Sequence, residues 1–359
     1  MISSGLPFSP FAMVRDIRKI LVIRLSSIGD IVHALPAVAA LGTTFPDAEI
    51  SWLVEVRYAS LLEGNPFLKR VLTLDTLGWR NHLFSARTAR EAAQTVRALR
   101  SETFDAAIDF QGLIKTGVVG RLARARRRVG LASNRLREPA AAFFYTEQAP
   151  APEAEHVVEE NLALAEWMGA QVHTWQFPLP RAEADERWAA EILARMSIRE
   201  FILISPGAGW TAKRWPPSNY ARLIARLEEE GPWSIVLSGS TAEEEEIQMI
   251  VAESGARRAH YVPASIRQFI ALARLARLFI GGDTGPLHLA AALGVPVVAI
   301  YGPTGPARNG PFAAADITLW NREPANHTRR AKKPRFLQGI SVEDVVAAVR
   351  ARLARTHEG

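Results

Sequence analysis

ILVIRLSSIGDIVHALPAVAAL, residues 20–41, begins with an apolar run (20–25, ILVIRL) and passes through the small, turn-prone Ser26-Ser27-Ile28-Gly29. An apolar periodic segment then continues over 31–41. A short apolar run bounded by turn residues and followed by a helical period is a buried strand, a tight loop and a helix, which opens an α/β unit. The same grammar continues outward, predicting strands at 49–54, 70–74 and 105–109 and helices near 58–64 and over 86–101, 114–125 and 155–168. TWQFPLPR (174–181) carries two prolines and no helical period, so it reads as a linker. Beyond a helix at 182–196 the pattern reopens. Strands are predicted at 201–205, 234–238, 278–280 and 295–301, and helices at 217–230, 242–254, 265–276, 286–293 and 342–355. Strands alternating with helices in two successive halves imply two doubly wound parallel sheets, with domains at 1–177 and 178–359. No internal repeat is visible in the sequence.

Composition narrows the function classes. The 359 residues are 48% hydrophobic and 22% charged, the profile of a soluble globular protein with ample core. No run reaches the roughly 18–20 apolar residues of a membrane span, and the first 19 residues lack the apolar core of a secretory signal. A cytoplasmic location is therefore expected. The absence of cysteine removes disulfide scaffolds, cysteine nucleophiles and thiolate metal sites together. The net charge of +6 is unevenly placed: residues 115–137 hold eight Lys or Arg and no acid, and 322–335 hold six with one Glu. Such fields suit phosphates, anionic headgroups or nucleic acid, or are simply solvated helix faces.

Ligands of doubly wound sheets bind outside the carboxyl ends of the strands, which directs attention to the strand-to-helix loops. In the first, Asp30 is placed either to act as a general base on a hydroxyl or, as Ser27-x-x-Asp30, to complete a capping box. His33 lies one turn on. In the second, Ser205 to Pro216, Gly207 and Gly209 allow close backbone approach, and Lys213 with Arg214 can neutralise phosphate oxygens. The loop is neither G-x-G-x-x-G nor a Walker sequence, which disfavours a nicotinamide dehydrogenase. In the third, Gly281-Gly282-Asp283-Thr284-Gly285-Pro286-Leu287-His288, a capping residue, a first-turn proline and three glycines make a helix N-terminus suited to an anion. The acidic run 243–246 opens a further helix, where the helix dipole alone explains carboxylates and ribose hydroxyls are the alternative.

Taken in order, these segments resemble glycosyltransferase family 9, the bacterial lipopolysaccharide heptosyltransferases. RLSSIGDIVHALPA (24–37) looks like the acceptor-side motif, PGAGWTAKRWP (206–216) the nucleotide-diphosphate loop, and GGDTGPLHLAAALGVPVVAIYGPT (281–304) the donor segment. IDFQGLIKTG (108–117), REPAAAFFY (137–145) and HVVEENL (156–162) look most like the heptosyltransferase I type.

The resemblance implies a GT-B fold, two Rossmann-like domains facing an interdomain cleft. It also implies an inverting, metal-independent transfer of L-glycero-D-manno-heptose from ADP-heptose to the Kdo of Kdo2-lipid A, with no cofactor. Asp30 would be the base. Lys213 would neutralise the departing diphosphate together with the Thr284 and Gly285 amides. Asp283 and His288 would hold the donor's sugar and phosphate, and Glu243 the adenosine ribose. Arg57, Lys115, Arg121, Arg124 and Arg137 would meet an anionic acceptor at the inner-membrane surface, giving peripheral association without insertion and no role for nucleic acid. The loop departs from some members in having Ala208 and Gly209 near the diphosphate, with Thr211 a substitute hydroxyl. Other readings are a heptosyltransferase of the II or III type, or another GT-B nucleotide-sugar transferase or epimerase.

Overall fold

The computed structural model describes residues 17–81, 85–150, 152–153, 155–208, 213–302, 304–321, 337 and 339–355. The basic stretch at 322–335 and the loop residues Gly209 and Thr211 lie outside them. The chain forms two compact units, Met1–Pro178 and Leu179–Gly359.

The first unit is built on a six-stranded parallel sheet of β1 (Lys19–Ile23), β2 (Glu49–Glu55), β3 (Arg70–Leu74), β4 (Ala106–Asp109), β5 (Arg127–Leu131) and β6 (Glu147–Ala149), in the order β3-β2-β1-β4-β5-β6. Its helices are α1 (Ile28–Thr44), α2 (Thr76–Asn81), α3 (Ala86–Ser101), α4 (Ile114–Leu122) and α5 (Val157–Trp167). In the second unit the strands are β7 (Phe201–Ser205), β8 (Ser234–Leu237), β9 (Ala259–Tyr261), β10 (Leu278–Gly282), β11 (Val297–Tyr301) and β12 (Ile317–Trp320), in the order β12-β11-β10-β7-β8-β9. The helices here are α6 (Glu183–Arg195), α7 (Pro217–Glu230), α8 (Glu244–Ser254), α9 (Ile266–Leu275), α10 (Gly285–Ala292), α11 (Pro306–Asn309) and α12 (Val342–Ala354).

Numbered within each unit, both sheets have the order 3-2-1-4-5-6 of the doubly wound dinucleotide-binding fold. The two halves thus repeat in topology what they do not repeat in sequence. Parallel sheets covered on both faces need strands apolar throughout. FILIS of β7 and VVAIY of β11 are buried at every position. Around β7 and β10 the core gathers Ile202, Ile204, Leu223, Ile224, Leu278 and Ile280.

Four strands, β5, β6, β9 and β12, are absent from the sequence expectation. They lie away from the sheet centres and are three to five residues long, and none is buried throughout; β5 (RRVGL) and β6 (EQA) also carry charge. A strand of that kind is held by its neighbour's backbone rather than by its own pattern. The expected helix at 58–64 is instead a 3₁₀ turn, Val56–Leu61, buried only at Leu61. Among the described residues no helix is long and apolar enough to cross a membrane.

In such a fold the loops after the first and fourth strands of each sheet diverge at the point where strand order reverses. In the first unit these follow β1 and β4, which pair directly; in the second they follow β7 and β10. Asp30 belongs to the first pair of loops, Lys213 and Asp283 to the second.

Candidate active-site loops

In the first unit, Arg24 continues β1 and is buried, its guanidinium donating to the Phe110 carbonyl and, through Nη2 at 2.5 Å, to Oδ1 of Asp30. Oδ2 of Asp30 accepts from the Ser27 amide and from Ser27 Oγ, each at 2.9 Å. The capping box is therefore formed, at the third position of α1. It does not use up the carboxylate, whose side chain remains 41% exposed. The capping reading holds and does not exclude the other: the box and Arg24 aim the group, and its open side faces solvent.

Partial burial pushes the Asp30 carboxyl up. No single neighbour outweighs this, but Arg24, the two Ser27 bonds and the nearby His33 together bring it down to about 2. Since the group is lower in the folded chain than its ordinary 3.8, its contribution to stability is complete above that value and is lost as pH falls through about 2. Asp30 therefore stays ionised throughout the neutral range, and no acid limb of kcat/KM from this group is expected above about pH 4. Replacing Arg24 by Met leaves burial unopposed by its main counter-charge. The acid limb should then move upward, which a pH–rate profile of the two proteins measures directly; coincident profiles would remove Arg24 from the account.

The neighbouring loop is fixed by a buried carboxylate that sequence reasoning did not single out. Asp109, the last residue of β4, accepts from the amides of Gln111 at 2.9 Å and Gly112 at 3.1 Å and from Tyr145 Oη at 2.8 Å. Burial pushes its carboxyl up against those bonds. Gln111, so placed, accepts from the Leu25 amide through Oε1 at 2.7 Å and ties this loop to the one bearing Asp30. His33 is buried in α1 and packs edge-on to His156, the N-cap of α5, with ring centroids 5.9 Å apart. That position is structural.

In the second unit the centre is Asp283, its side chain 3% exposed. Oδ2 accepts from the Lys213 ammonium and from Thr304 Oγ1 at 2.6 Å; Oδ1 accepts from Asn309 Nδ2 at 2.9 Å and lies 3.2 Å from His288 Nε2. Burial pushes this carboxyl up, but His288 and Lys213 hold it well below the usual carboxylate range. With four donors on two oxygens, Asp283 is a hub that orients Lys213 and His288. Tyr301 completes the support by donating to the Asn309 carbonyl at 2.8 Å. Thr304, in the turn after β11, and Asn309, at the end of α11, are contacts of Asp283 not singled out in the sequence, because only the parallel pairing of β10 with β11 brings that segment to Asp283.

Lys213 reaches Asp283 because its backbone passes close to the end of β10. A Cβ on Gly282 would stand 3.3 Å from the Lys213 carbonyl oxygen, tighter than ordinary contact. Arg214, expected beside phosphate, is engaged elsewhere: Nε donates to the Ala208 carbonyl at 2.9 Å and Nη1 pairs with Glu246 at 2.8 Å. Thr284 is the N-cap of α10, extended at φ −144°, and makes no side-chain cap bond. Thr284 and Gly285 are half-buried, so the uncapped first-turn amides and the helix dipole offer a place for an anion beside Lys213.

Glu243 forms a capping box with Ser240, Oε2 accepting from the Ser240 amide at 2.9 Å and from its Oγ at 2.6 Å. Oε1 lies over Gly207, where a Cβ would stand 1.6 Å away. Gly207→Ala must therefore displace the Glu243 carboxylate. If Glu243 reads the donor's ribose, this variant is expected to raise KM for the donor by about tenfold with little change in kcat, the signature of lost uniform binding. An unaltered donor KM in steady-state kinetics would refute the role.

Arg57, Lys115, Arg121, Arg124 and Arg137 are all exposed. The other basic residues between 115 and 137 are engaged within the unit: Arg126 faces Asp105, Arg127 pairs with Glu147, Arg135 with Glu160, and Arg128 donates to the carbonyls of Ala125 and Phe144. Arg57 lies over the Tyr58 ring at 4.5 Å. Among the described residues no group of three or more His, Asp or Glu is placed to hold a metal ion.

The chain is similar to known glycosyltransferases. The profile of glycosyltransferase family 9 (heptosyltransferase) matches residues 92–336. Lipopolysaccharide heptosyltransferase 1 of Pseudomonas aeruginosa is 30% identical over 314 residues, covering 85% of this chain and 84% of that protein. The enzyme of the same name from Escherichia coli K12 is 29% identical over 303 residues, covering 82% and 91%. Among solved structures, E. coli heptosyltransferase WaaC with ADP-2-deoxy-2-fluoro heptose superposes with a TM-score of 0.74 at 25% identity, over 92% of this chain and 99% of that one.

Proposed function

The chain belongs to glycosyltransferase family 9, and from that membership we propose that it transfers L-glycero-D-manno-heptose from ADP-heptose to the Kdo of Kdo2-lipid A, with inversion and without a metal. The observation that carries a diphosphate leaving group is the Lys213 ammonium held by Asp283 beside the uncapped N-terminus of α10. The sugar and acceptor rest on similarity to lipopolysaccharide heptosyltransferase 1 over most of the chain.

In this reading a Kdo hydroxyl attacks the anomeric carbon from the side opposite ADP. The new C–O bond forms as the bond to the phosphate oxygen breaks, the electron pair leaves with ADP, and the hydroxyl proton passes to Asp30. A carboxylate held near 2 is a weak base towards a free hydroxyl, so the proton moves only as bond formation acidifies that hydroxyl. Lys213 spends one N–H on Asp283 and turns the others to the diphosphate, joined by the amides of the α10 first turn. His288 is fixed by Asp283 toward the donor. Glu243 Oε1, beside Gly207, receives the adenosine ribose. The exposed cations of the first unit meet the carboxylates and phosphates of the acceptor on the cytoplasmic face of the inner membrane.

A purified sample given ADP-heptose and heptose-free Kdo2-lipid A in the presence of a chelator is expected to yield the acceptor bearing one heptose, read by mass spectrometry. ADP-heptose binding without transfer would assign the II or III type, whose acceptor differs. Neither binding nor transfer would overturn the heptose reading.

A further inference from the structure

We propose that the 3₁₀ turn Pro139–Phe144 is a membrane anchor that inserts Phe143 into the headgroup–acyl boundary of an anionic bilayer, beside Arg121 and Arg137. The proposal deepens the reading of a membrane-borne acceptor and replaces the expectation of association without insertion.

Phe143 is the most exposed large hydrophobic side chain among the described residues, at 88%. In a 3₁₀ turn the side chains three apart eclipse, so Ala140 and Phe143 share one edge, and both are exposed. The opposite edge explains why the turn is rigid. A Cβ on Gly117 of α4 would stand 3.0 Å from the Phe144 ring and 3.1 Å from the Ala141 carbonyl oxygen, so glycine lets the turn lie directly on the helix. Phe144 and Ala141 therefore supply the packing, and Phe143 supplies none. A single exposed aromatic ring is ordinary on a protein surface; this one shares its edge with exposed Ala140 and stands in a stretch rich in cations.

Charge chooses the occupant. Arg121 and Arg137 are exposed and, among the described residues, pair with no carboxylate, whereas Lys115 lines a pocket with Leu99, Val119 and Leu122 on the other face of α4 from Gly117. From residue 115 to 146 the sequence contains one acid, Glu138. Its Oε2 accepts the Ile114 amide at 2.8 Å, placing that charge at the N-terminus of α4. That bond also brings the turn's leading residue to Ile114, itself 42% exposed. Aromatic and aliphatic tips set among unpaired cations match a surface that is negative outside and apolar beneath. The same end of α4 follows β4, the strand beside the one that leads to Asp30, so an anchor here brings lipid to the acceptor-side loop.

The test is co-sedimentation of the full chain with vesicles of phosphatidylcholine containing phosphatidylglycerol, with no sugar donor present. Binding is expected, reduced about tenfold by Phe143→Ser and about fivefold by Arg137→Ser. Phe143→Trp should retain binding and gain fluorescence that brominated lipid quenches beyond the level set by the native tryptophans. Because Phe143 packs on nothing, Phe143→Ser should melt with the wild type. Equal binding of wild type and Phe143→Ser, or binding unaffected by removing phosphatidylglycerol, would overturn the proposal. So would absence of binding coupled to a dimer that Phe143→Ser dissolves, which would make the patch a protein interface. Vesicle binding is read without transfer, so failure of the heptosyl reaction and failure of the anchor are separate results.

Discussion

Asp30→Asn is expected to fold and to lower kcat by about 10²–10⁴, the usual contribution of a positioned general base. The amide keeps an oxygen for the Arg24 guanidinium, which is buried and would otherwise lose its counter-charge. It loses the negative charge that receives the hydroxyl proton and weakens the box with Ser27. Loss of the cap costs about 1 kcal/mol, a small shift in melting temperature. Donor affinity should be unchanged, because the proposed donor contacts all lie in the second unit. Calorimetric titration with ADP alongside single-turnover transfer separates the two effects. Transfer at the wild-type rate by Asp30→Asn would leave the family assignment intact and reduce Asp30 to a helix cap.

Asp283→Asn should be damaging in a different way, lowering both stability and turnover. Lys213, Thr304, Asn309 and His288 all donate to the carboxylate. An amide has one acceptor edge and one donor edge, so whichever way it turns two of the four donors face N–H. With the group 3% exposed, the cost of breaking the pair with Lys213 is about 3–5 kcal/mol. Lys213→Met should lower kcat by about 10²–10³, as expected for removing one donor to a developing anion. It also strips Asp283 of its main cation, so its carboxyl should rise toward the ordinary range. Thermal denaturation and single-turnover kinetics on both variants test the linkage. A stable, fully active Asp283→Asn protein would show that the hub holds nothing the reaction needs.

These two residues also show how far the sequence reaches. Asp30 and Asp283 are both visible as polar residues between an apolar strand and a helix, and the helix starts at 28 and 285 follow from local capping and backbone preference. What each carboxylate does is not local. Asp30 owes part of its low pKa to Arg24, six residues away, and Arg24 in turn is held by the carbonyl of Phe110, 86 residues on. Arg214 stands beside Lys213 in sequence with the same charge, yet turns away to Glu246. Nothing in the string Ala-Lys-Arg-Trp distinguishes the two cations.

The sequence by itself determined the alternation of buried strands and helices, the places where loops bear chemistry, and the resemblance to family 9. Each of these depends on residues close along the chain, whose apolar period and capping preferences act whatever surrounds them. Only the tertiary structure decided the outlying strands, the shared strand order of the two sheets, and the assembly of Lys213, His288, Thr304 and Asn309 on one carboxylate. Short outlying strands form because a neighbour offers an unpaired backbone ladder, and a buried carboxylate collects donors because removal from water leaves it no other partners. Those causes lie in groups distant along the chain, and they act only once the sheets have formed.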